Sequence, residues 1–292
     1  MDQMRRRKAV LLFLVPSLLF YIIFMIAPLF QSLYYAFFKW KGVGPMKYVG
    51  FDNFIKLFTD DRIIRLGFRN TLYLLLISML VMFPISFLLA NSLVSIKRKT
   101  KLYSTVFYLP NVVSTVIVAL MWSFIFNYEN GVVNNFLRLI HLESLEQVWL
   151  GDPNIAIFTV ILVNTWQFVG LHMIIFYTSL QSIPTSIYEA AEIDGAYGIK
   201  KLWHITLPLM REPLKMNTIL IAIGSLKAFD LVWAMTYGGP NDATQLLSTY
   251  MYHNTFRRFQ FGYGSAIAMT IFVLALAASF IIQKLFAQRE KK

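Results

Sequence analysis

The sequence predicts an all-α integral membrane protein with six transmembrane helices, and three observations carry that prediction. Of the 292 residues, 57% are hydrophobic and only 14% charged, whereas a soluble domain carries roughly a quarter charged residues. Six apolar stretches reach the roughly 20 residues that a spanning helix needs: Ala9–Phe38, Phe68–Val94, Ser104–Phe126, Ile155–Gln181, Met216–Tyr237 and Gly264–Phe286. Basic residues gather beside the ends of these stretches. In a soluble chain the net charge of +12 would suggest nucleic acid, but Lys and Arg flanking apolar spans account for it, so no nucleic-acid partner is expected. The absence of cysteine excludes disulfides, thiolate metal sites and a cysteine nucleophile.

The first stretch follows Arg5-Arg6-Arg7-Lys8 and could be taken for a signal peptide. A cleavable signal has an apolar core of about 7–15 residues before a small-residue cleavage site. This run is far longer and no such site follows it. Its many Leu, Ile, Val and Phe residues each favour insertion by roughly 0.3–0.6 kcal/mol, so a retained first span and a membrane-lipid environment are expected. Later spans alternate in direction. Placing the amino terminus inside collects Arg5, Arg6, Arg7, Lys8, Lys97, Arg98, Lys99, Lys101, Lys200, Lys201, Arg211, Lys215, Lys284, Arg289, Lys291 and Lys292 on the cytoplasmic side. The first outside connection, with Lys39, Lys41, Lys47, Lys56, Arg62, Arg65 and Arg69, runs against the positive-inside rule. The other two are poor in basic residues, so both termini are placed inside. There is no fixed-period repeat and no low-complexity tract.

Between the fourth and fifth spans lies a polar cassette, Glu189-Ala190-Ala191-Glu192-Ile193-Asp194-Gly195-Ala196, completed by Ile205, Leu207 and Pro208. Ser186 and Glu189 have capping-box spacing, which predicts a helix start there. Ala190 and Ala191 are strong helix formers small enough to admit another surface, and Gly195 sits where a left-handed residue would stop the helix. A second short helix is expected from about Gly198 to His204, with Pro208 marking the return to the membrane. An ordinary interfacial loop with a capped helix would satisfy the same physics.

The pattern E-A-A-x-x-D-G-A-x₈-I-x-L-P resembles the EAA loop of ABC-importer permeases. Other stretches resemble the carbohydrate-uptake branch of that family, on its maltose- and glycerol-phosphate-type first-subunit side. They are Phe13-Leu14-Val15-Pro16, Tyr48-Val49-Gly50-Phe51-Asp52-Asn53-Phe54, Asn70-Thr71, Val163-Asn164-Thr165-Trp166, Phe229-Asp230, Thr236-Tyr237-Gly238-Gly239-Pro240 and Phe261-Gly262-Tyr263-Gly264-Ser265-Ala266. Leu202-Trp203 departs from the family, which usually has Phe and then a bulky residue. The resemblance implies the type I importer permease fold with a cytoplasmic coupling helix. It divides the chain into 1–65 (tail, first helix and external loop), a transmembrane domain 66–287 with its EAA loop at about 182–213, and a tail 288–292. Glu189, Ala190, Ala191, Asp194, Gly195, Ile205, Leu207 and Pro208 would then couple the chain to a separate ATPase, with Glu189 ion-paired to a basic residue there. The implied partners are a second homologous permease, ATPase (nucleotide-binding) subunits, an extracellular solute-binding protein and a sugar substrate, in a bacterial or archaeal cytoplasmic membrane. The chain lacks G-x-x-x-x-G-K-[ST], the phosphate-cradling loop. No cofactor is expected on it; ATP and Mg would be held by the partner ATPase.

Polar groups inside spans mark passages. Span four offers Asn164, Thr165, Gln167 and His172; span five offers Asn217, Ser225, Lys227 and Asp230. Lys and Asp each cost about 2.5–3.5 kcal/mol at a helix centre. The pair therefore needs mutual neutralisation, which i,i+3 spacing on a helix allows, or water beside it. Two readings stay open: structural glue, or a Lys227 that faces the passage. The resemblance to maltose-type relatives places Gln167, Phe168 and Leu171 beside Ile221, Gly224, Ser225 and Ala228 as the substrate pathway. Trp166 and Trp233 could stack on a sugar, but aromatic residues in a membrane more often pack or anchor. The segments Asn127–Asn154 and Gly238–Gly262 would face a solute-binding protein, or simply connect spans. His141, His172, His204 and His253 are too scattered for a metal site, and neither H-E-x-x-H nor G-x-S-x-G occurs, so no catalytic residue is expected. A secondary transporter would need intramembrane acids at broken helices, and Asp230 is the one acid available. A membrane-embedded enzyme would lack a catalytic constellation.

Overall fold

The computed structural model describes residues 13–96 and 99–287. The basic groups expected at Arg5–Lys8, Lys97, Arg98, Arg289, Lys291 and Lys292, the start of the first span and the tail 288–292 lie outside the described residues. Among the described residues, four helices are long and apolar enough to cross a membrane unbroken: α1 (Phe13–Ala36), α3 (Arg62–Ser95), α7 (Ala156–Gln181) and α13 (Phe261–Ala287). The other two expected spans are broken. The third is α4 (Thr100–Val112) followed by α5 (Thr115–Ile125), bent by 92°; the fifth is α10 (Arg211–Lys227) followed by α11 (Asp230–Thr236), bent by 41°. Hydropathy averaged over a window conceals such breaks. At the first, Pro110 removes an amide from the last turn, and Val113 and Ser114 turn extended.

By contacts the chain divides into one unit running to Asp61 and including Met251–Phe272, and a second with Arg62–Tyr250 and the chain from Val273 onward. In the first unit, α1 leads into a two-stranded antiparallel ladder, β1 (Phe38–Lys39) on β2 (Lys47–Tyr48), and a short helix α2 (Asp52–Thr59). Asn53 donates from Nδ2 to the carbonyls of Ala36 (2.8 Å) and Phe38 (3.0 Å), tying α2 to the end of α1. Tyr263 donates to Asp61 at 2.6 Å. Gly262 lies so close to the Phe38 carbonyl that a Cβ there would overlap it. Asn53 and Gly262 thus both approach the Phe38 carbonyl, so the Tyr48–Phe54 and Phe261–Ala266 stretches meet at the end of α1.

In the second unit α7 is the central helix, and half of the most apolar part of its length is buried. One core cluster joins Leu74, Val118, Ile157, Val160, Ile161, Val232, Met235 and Leu246; another joins Phe87, Ala90, Met173, Phe176, Leu180 and Met210. At Gly170 the backbone of α4 comes so close that a Cβ would strike the Phe107 carbonyl. Asn70, fully buried, donates to Ala243 O (2.7 Å) and Gln245 O (2.9 Å), pinning the loop after α11. α3 begins six residues before its expected apolar start, so Arg62, Arg65 and Arg69 belong to a helix and not to a loop.

Three helices share one irregularity. Each contains a π-helical turn (Ile22–Ile26, Ser78–Met82 and Leu202–Thr206) followed at the same offset by a proline: Pro28, Pro84 and Pro208. In each, the amide just before the proline bonds five residues back: Ala27 to Ile22, Phe83 to Ser78, Leu207 to Leu202. Proline lacks an amide and its ring crowds the carbonyl four residues earlier. A wider turn of i→i+5 bonds makes room for that ring and the helix continues.

Candidate functional site

The two breaks, the π turn of α3 and the middle of α7 surround a cavity of about 260 Å³. Ser78 and Met82 come from the two ends of that π turn, Thr115 from the start of α5, and Asn164, Phe168, Leu171 and His172 from one side of α7. Leu220, Ile221, Gly224, Ser225 and Lys227 of α10, with Ala228, Phe229, Asp230 and Leu231 at its break, complete the lining. A Cβ at Gly224 would meet open space, so this side of α10 presents bare backbone. His172 Nδ1 lies 2.7 Å from Asn217 Oδ1, a buried pair that joins α7 to α10 behind the cavity.

Of the residues expected along a pathway, Phe168, Leu171, Ile221, Gly224, Ser225 and Ala228 all line this cavity. Gln167 does not and is corrected. Only 1% exposed, it donates from Nε2 to Thr115 Oγ1 (3.2 Å) and reaches the Val113 carbonyl at 3.5 Å. One residue away from Phe168 on a helix is a turn of about 100°, enough to take it off the lining face. Its partners instead make it the clip for the α4–α5 break. Ser248 does the same for the other break, its hydroxyl donating to the Ala228 carbonyl, one of the acceptors a broken helix leaves without an intrahelical donor. Trp166 and Trp233 pack on protein, Trp166 against Trp122 at 5.3 Å and Trp233 on Phe229 at 5.5 Å. Phe168 and Phe229 are the aromatic groups in the lining.

Lys227 and Asp230 were placed on one helix at i,i+3, but the helix breaks between them. Ala228 and Phe229 leave the helical region, and the two charged side chains are exposed and form no salt bridge with each other. Lys227 ends α10, where the helix dipole is negative, and Asp230 begins α11, where it is positive. Each charge is offset by its own half-helix, so mutual pairing is not required to hold them beside the cavity.

The cassette forms α8 (Thr185–Ile193), a sharp stop, and a second helical run, α9 (residues 198–209). The capping box expected at Ser186 and Glu189 is absent. The N-cap lies two residues earlier, at Pro184, with no side-chain cap, because Pro184 already presets the extended entry. The stop is as expected. Gly195 has φ +78°, its amide donates to Glu192 O (3.1 Å) and the Ala196 amide to Ala191 O (2.8 Å), a complete Schellman motif. Pro208 does not end the helix; the π turn carries it through to Leu209. Lys201 bridges the two helices, 3.0 Å from Glu192 and 5.4 Å above the Tyr188 ring. Ala191 is buried and Leu207 packs against the Phe176–Met210 cluster, so they root the cassette, with Ile205 half-buried nearby. Glu189, Ala190, Asp194, Gly195 and Pro208 are exposed. Sequence reasoning missed the apolar crown beside them, Ile193 (86% exposed), Ile199 and Tyr197. Three large apolar groups turned outward on a polar loop are the signal that could have found it.

A second, larger cavity of about 780 Å³ lies where α9 meets Phe83, Arg211, Leu214, Leu285 and Phe286, and Arg211 is the charged side chain in its otherwise mainly apolar lining. Convergent polar groups from broken helices make the smaller cavity the better candidate for a polar solute. Among the described residues no group of three or more His, Asp or Glu is placed to hold a metal ion.

Residues 82–292 match the family model for the binding-protein-dependent transport system inner membrane component. A probable ABC transporter permease protein of Bacillus subtilis, YurN, is 35% identical over 94% of both chains. The multiple sugar-binding transport system permease protein MsmF of Streptococcus mutans is 35% identical over 90% of this chain and 89% of its own. A bacterial alginate ABC transporter, crystallised in complex with an alginate pentasaccharide-bound periplasmic protein, has a chain that superposes with a TM-score of 0.83 at 26% identity, covering 96% of this chain and 94% of that one. By the family match and by these full-length similarities, the chain belongs to the binding-protein-dependent transport system inner membrane components, the permease subunits of ABC importers.

Proposed function

We propose that this permease subunit forms half of the translocation pathway for a sugar or oligosaccharide, and that the cassette couples it to a separate ATPase. It is a transporter subunit and not an enzyme. The observation that carries the reading is the cavity at the two helix breaks, where Asn164, Ser225, Lys227 and Asp230 stand beside the faces of Phe168 and Phe229. Hydroxyl-rich solutes need donors and acceptors with an aromatic face, and half-helix ends supply such groups inside a membrane. MsmF belongs by name to a multiple sugar-binding transport system and the structural neighbour is an alginate ABC transporter, which supports a saccharide as cargo.

The remaining assignments follow from that reading. Glu189, Ala190, Asp194 and Gly195, with the crown of Ile193, Tyr197 and Ile199, dock in a groove of the ATPase on the cytoplasmic side. Both chain termini lie on that side. ATP and Mg are held by the ATPase subunits, a second homologous permease supplies the other half of the pathway, and a solute-binding protein delivers the sugar from outside. Alternating access is driven from the ATPases through α8 and α9 as a rigid body, because Lys201 ties both helices together. Reconstituted complexes should lose sugar uptake on ATP depletion and keep it when an uncoupler is added at constant ATP. Uptake that follows the ion gradient and ignores ATP would overturn the proposal in favour of a secondary transporter.

A further inference from the structure

The ladder after α1 carries an arrangement that the transport reading does not use. Lys39 and Lys47 stand directly opposite each other across β1 and β2, a like-charge pairing that weakens a two-stranded ladder. Lys41 adds a third ammonium in the connecting turn, and all three are exposed. No Asp or Glu occurs between Arg5 and Asp52, so nothing nearby in the chain neutralises them. The turn is held in place: Gly42 has φ +89° and lies against the Phe261 ring, where a Cβ would collide. A fixed turn that concentrates three cations calls for an anionic surface opposite it.

The position of the ladder says which surface. Within the described residues α1 has 24 residues, about 36 Å at 1.5 Å per residue, enough to cross the roughly 30 Å hydrocarbon core. β1 begins two residues after α1 ends, so it emerges at headgroup depth. The aromatic residues agree. Tyr34 packs on Phe38 and Tyr35 on Trp40, each at 4.6 Å, and Phe38 packs on Tyr48 at 5.4 Å. Such a belt marks the membrane–water boundary. Between the lysines, Val43 is 88% exposed and Met46 also faces outward, apolar tips that suit the acyl boundary.

We propose that this hairpin is a lipid-docking element, in which Lys39, Lys41 and Lys47 bind the phosphates of anionic phospholipids while Val43 and Met46 dip between the headgroups. It explains three of the basic residues that contradict the positive-inside rule on this connection. It does not depend on which solute the cavity takes.

The chain has no cysteine, so Val43→Cys gives one labelling site for an environment-sensitive fluorophore on the full-length protein. The labelled protein is reconstituted in vesicles of phosphatidylcholine alone, or of phosphatidylcholine with phosphatidylglycerol. With phosphatidylglycerol, the emission should shift to the blue, be quenched by headgroup spin labels, and revert at high salt. Each lysine changed to Gln should lower the docked-to-free ratio about fivefold, and the triple Lys→Arg variant should keep it. Water-like emission in both lipids would overturn the proposal. So would a blue shift that survives Lys39→Gln, Lys41→Gln and Lys47→Gln together, or one that appears only when a soluble binding protein is added.

Discussion

The cassette and the cavity are assembled in opposite ways. The cassette is one continuous stretch whose shape comes from neighbours: a Schellman stop at Gly195 and the bridge from Lys201 to Glu192 and the Tyr188 ring. The cavity gathers Ser78, Thr115, Asn164, Ser225 and Asp230 from five places along the chain, and it exists because two helices are broken and held open by Gln167 and Ser248. A local device can be moved as a body without changing shape. A cavity at helix breaks can change shape when the helices around it move. The difference suits one to transmit force and the other to bind and release.

The largest expected effect breaks the first of these. Gly195→Pro removes the amide bonded to Glu192 and cannot reach a positive φ, and Glu189→Lys reverses an exposed charge at the docking face. Both variants should insert normally yet lose uptake by about a hundredfold, the scale of 2–5 kcal/mol for breaking a docked charge contact. ATP hydrolysis measured in the same vesicles should no longer track sugar. Normal uptake by both would end the coupling assignment.

Next comes a pair of substitutions that separates lining from support. Ser225→Leu fills the cavity and should raise KM for uptake about tenfold, the scale of roughly 1–3 kcal/mol that a methylene changes in a binding pocket, with a smaller fall in the thermal midpoint in detergent than Gln167→Leu. Gln167→Leu should do the reverse, losing roughly 1–3 kcal/mol of stability because the groups at the α4–α5 break go unbonded, with KM unaltered. Identical behaviour of the two would contradict the distinction. Gly170→Val should separate α4 from α7 at the Phe107 carbonyl and destabilise by about 1–3 kcal/mol, visible as a lower thermal midpoint.

The smallest effect lies away from both regions. In the connection after α5, the helix α6 (Val132–Leu139) is closed by a two-bond contact from Arg138 to Glu146, at 2.8 and 2.6 Å. That contact holds the Glu146 carboxyl below its ordinary pKa. The folded value is the lower one, so the stabilisation is full above the ordinary glutamate range and is lost as pH falls through the depressed value. Hydrogen exchange over residues 131–149 should be unchanged near neutrality and quicken only in acid, after correction for intrinsic rates. Quickening between pH 8 and 6 would be inconsistent.

Contiguity also decided what the sequence could reveal. The cassette's Gly195 stop was legible because its physics is local, and α7 and α13 were legible because long apolar runs admit few other structures. The breaks at Val113 and Ala228 were not, since mean hydropathy is blind to a two-residue change of direction. With them went the geometry of Lys227 and Asp230, assumed to share a helix. Gln167 was misplaced because a polar residue in a span can serve a passage or a neighbouring carbonyl, and only the position of Thr115 separates the two. Pro208 misled because the compensating π turn leaves no mark in composition.

The central claim is that the crown at Ile193 faces the cytoplasm and is gripped by the ATPase. Ile193→Cys supplies a single thiol in a chain that has none, and a membrane-impermeant maleimide can be offered to sealed vesicles of either orientation. Labelling in inside-out vesicles stripped of ATPase, protection once ATPase subunits are restored, and no labelling in right-side-out vesicles is the predicted result. Labelling from the outer face, or no protection by the ATPase, would contradict it.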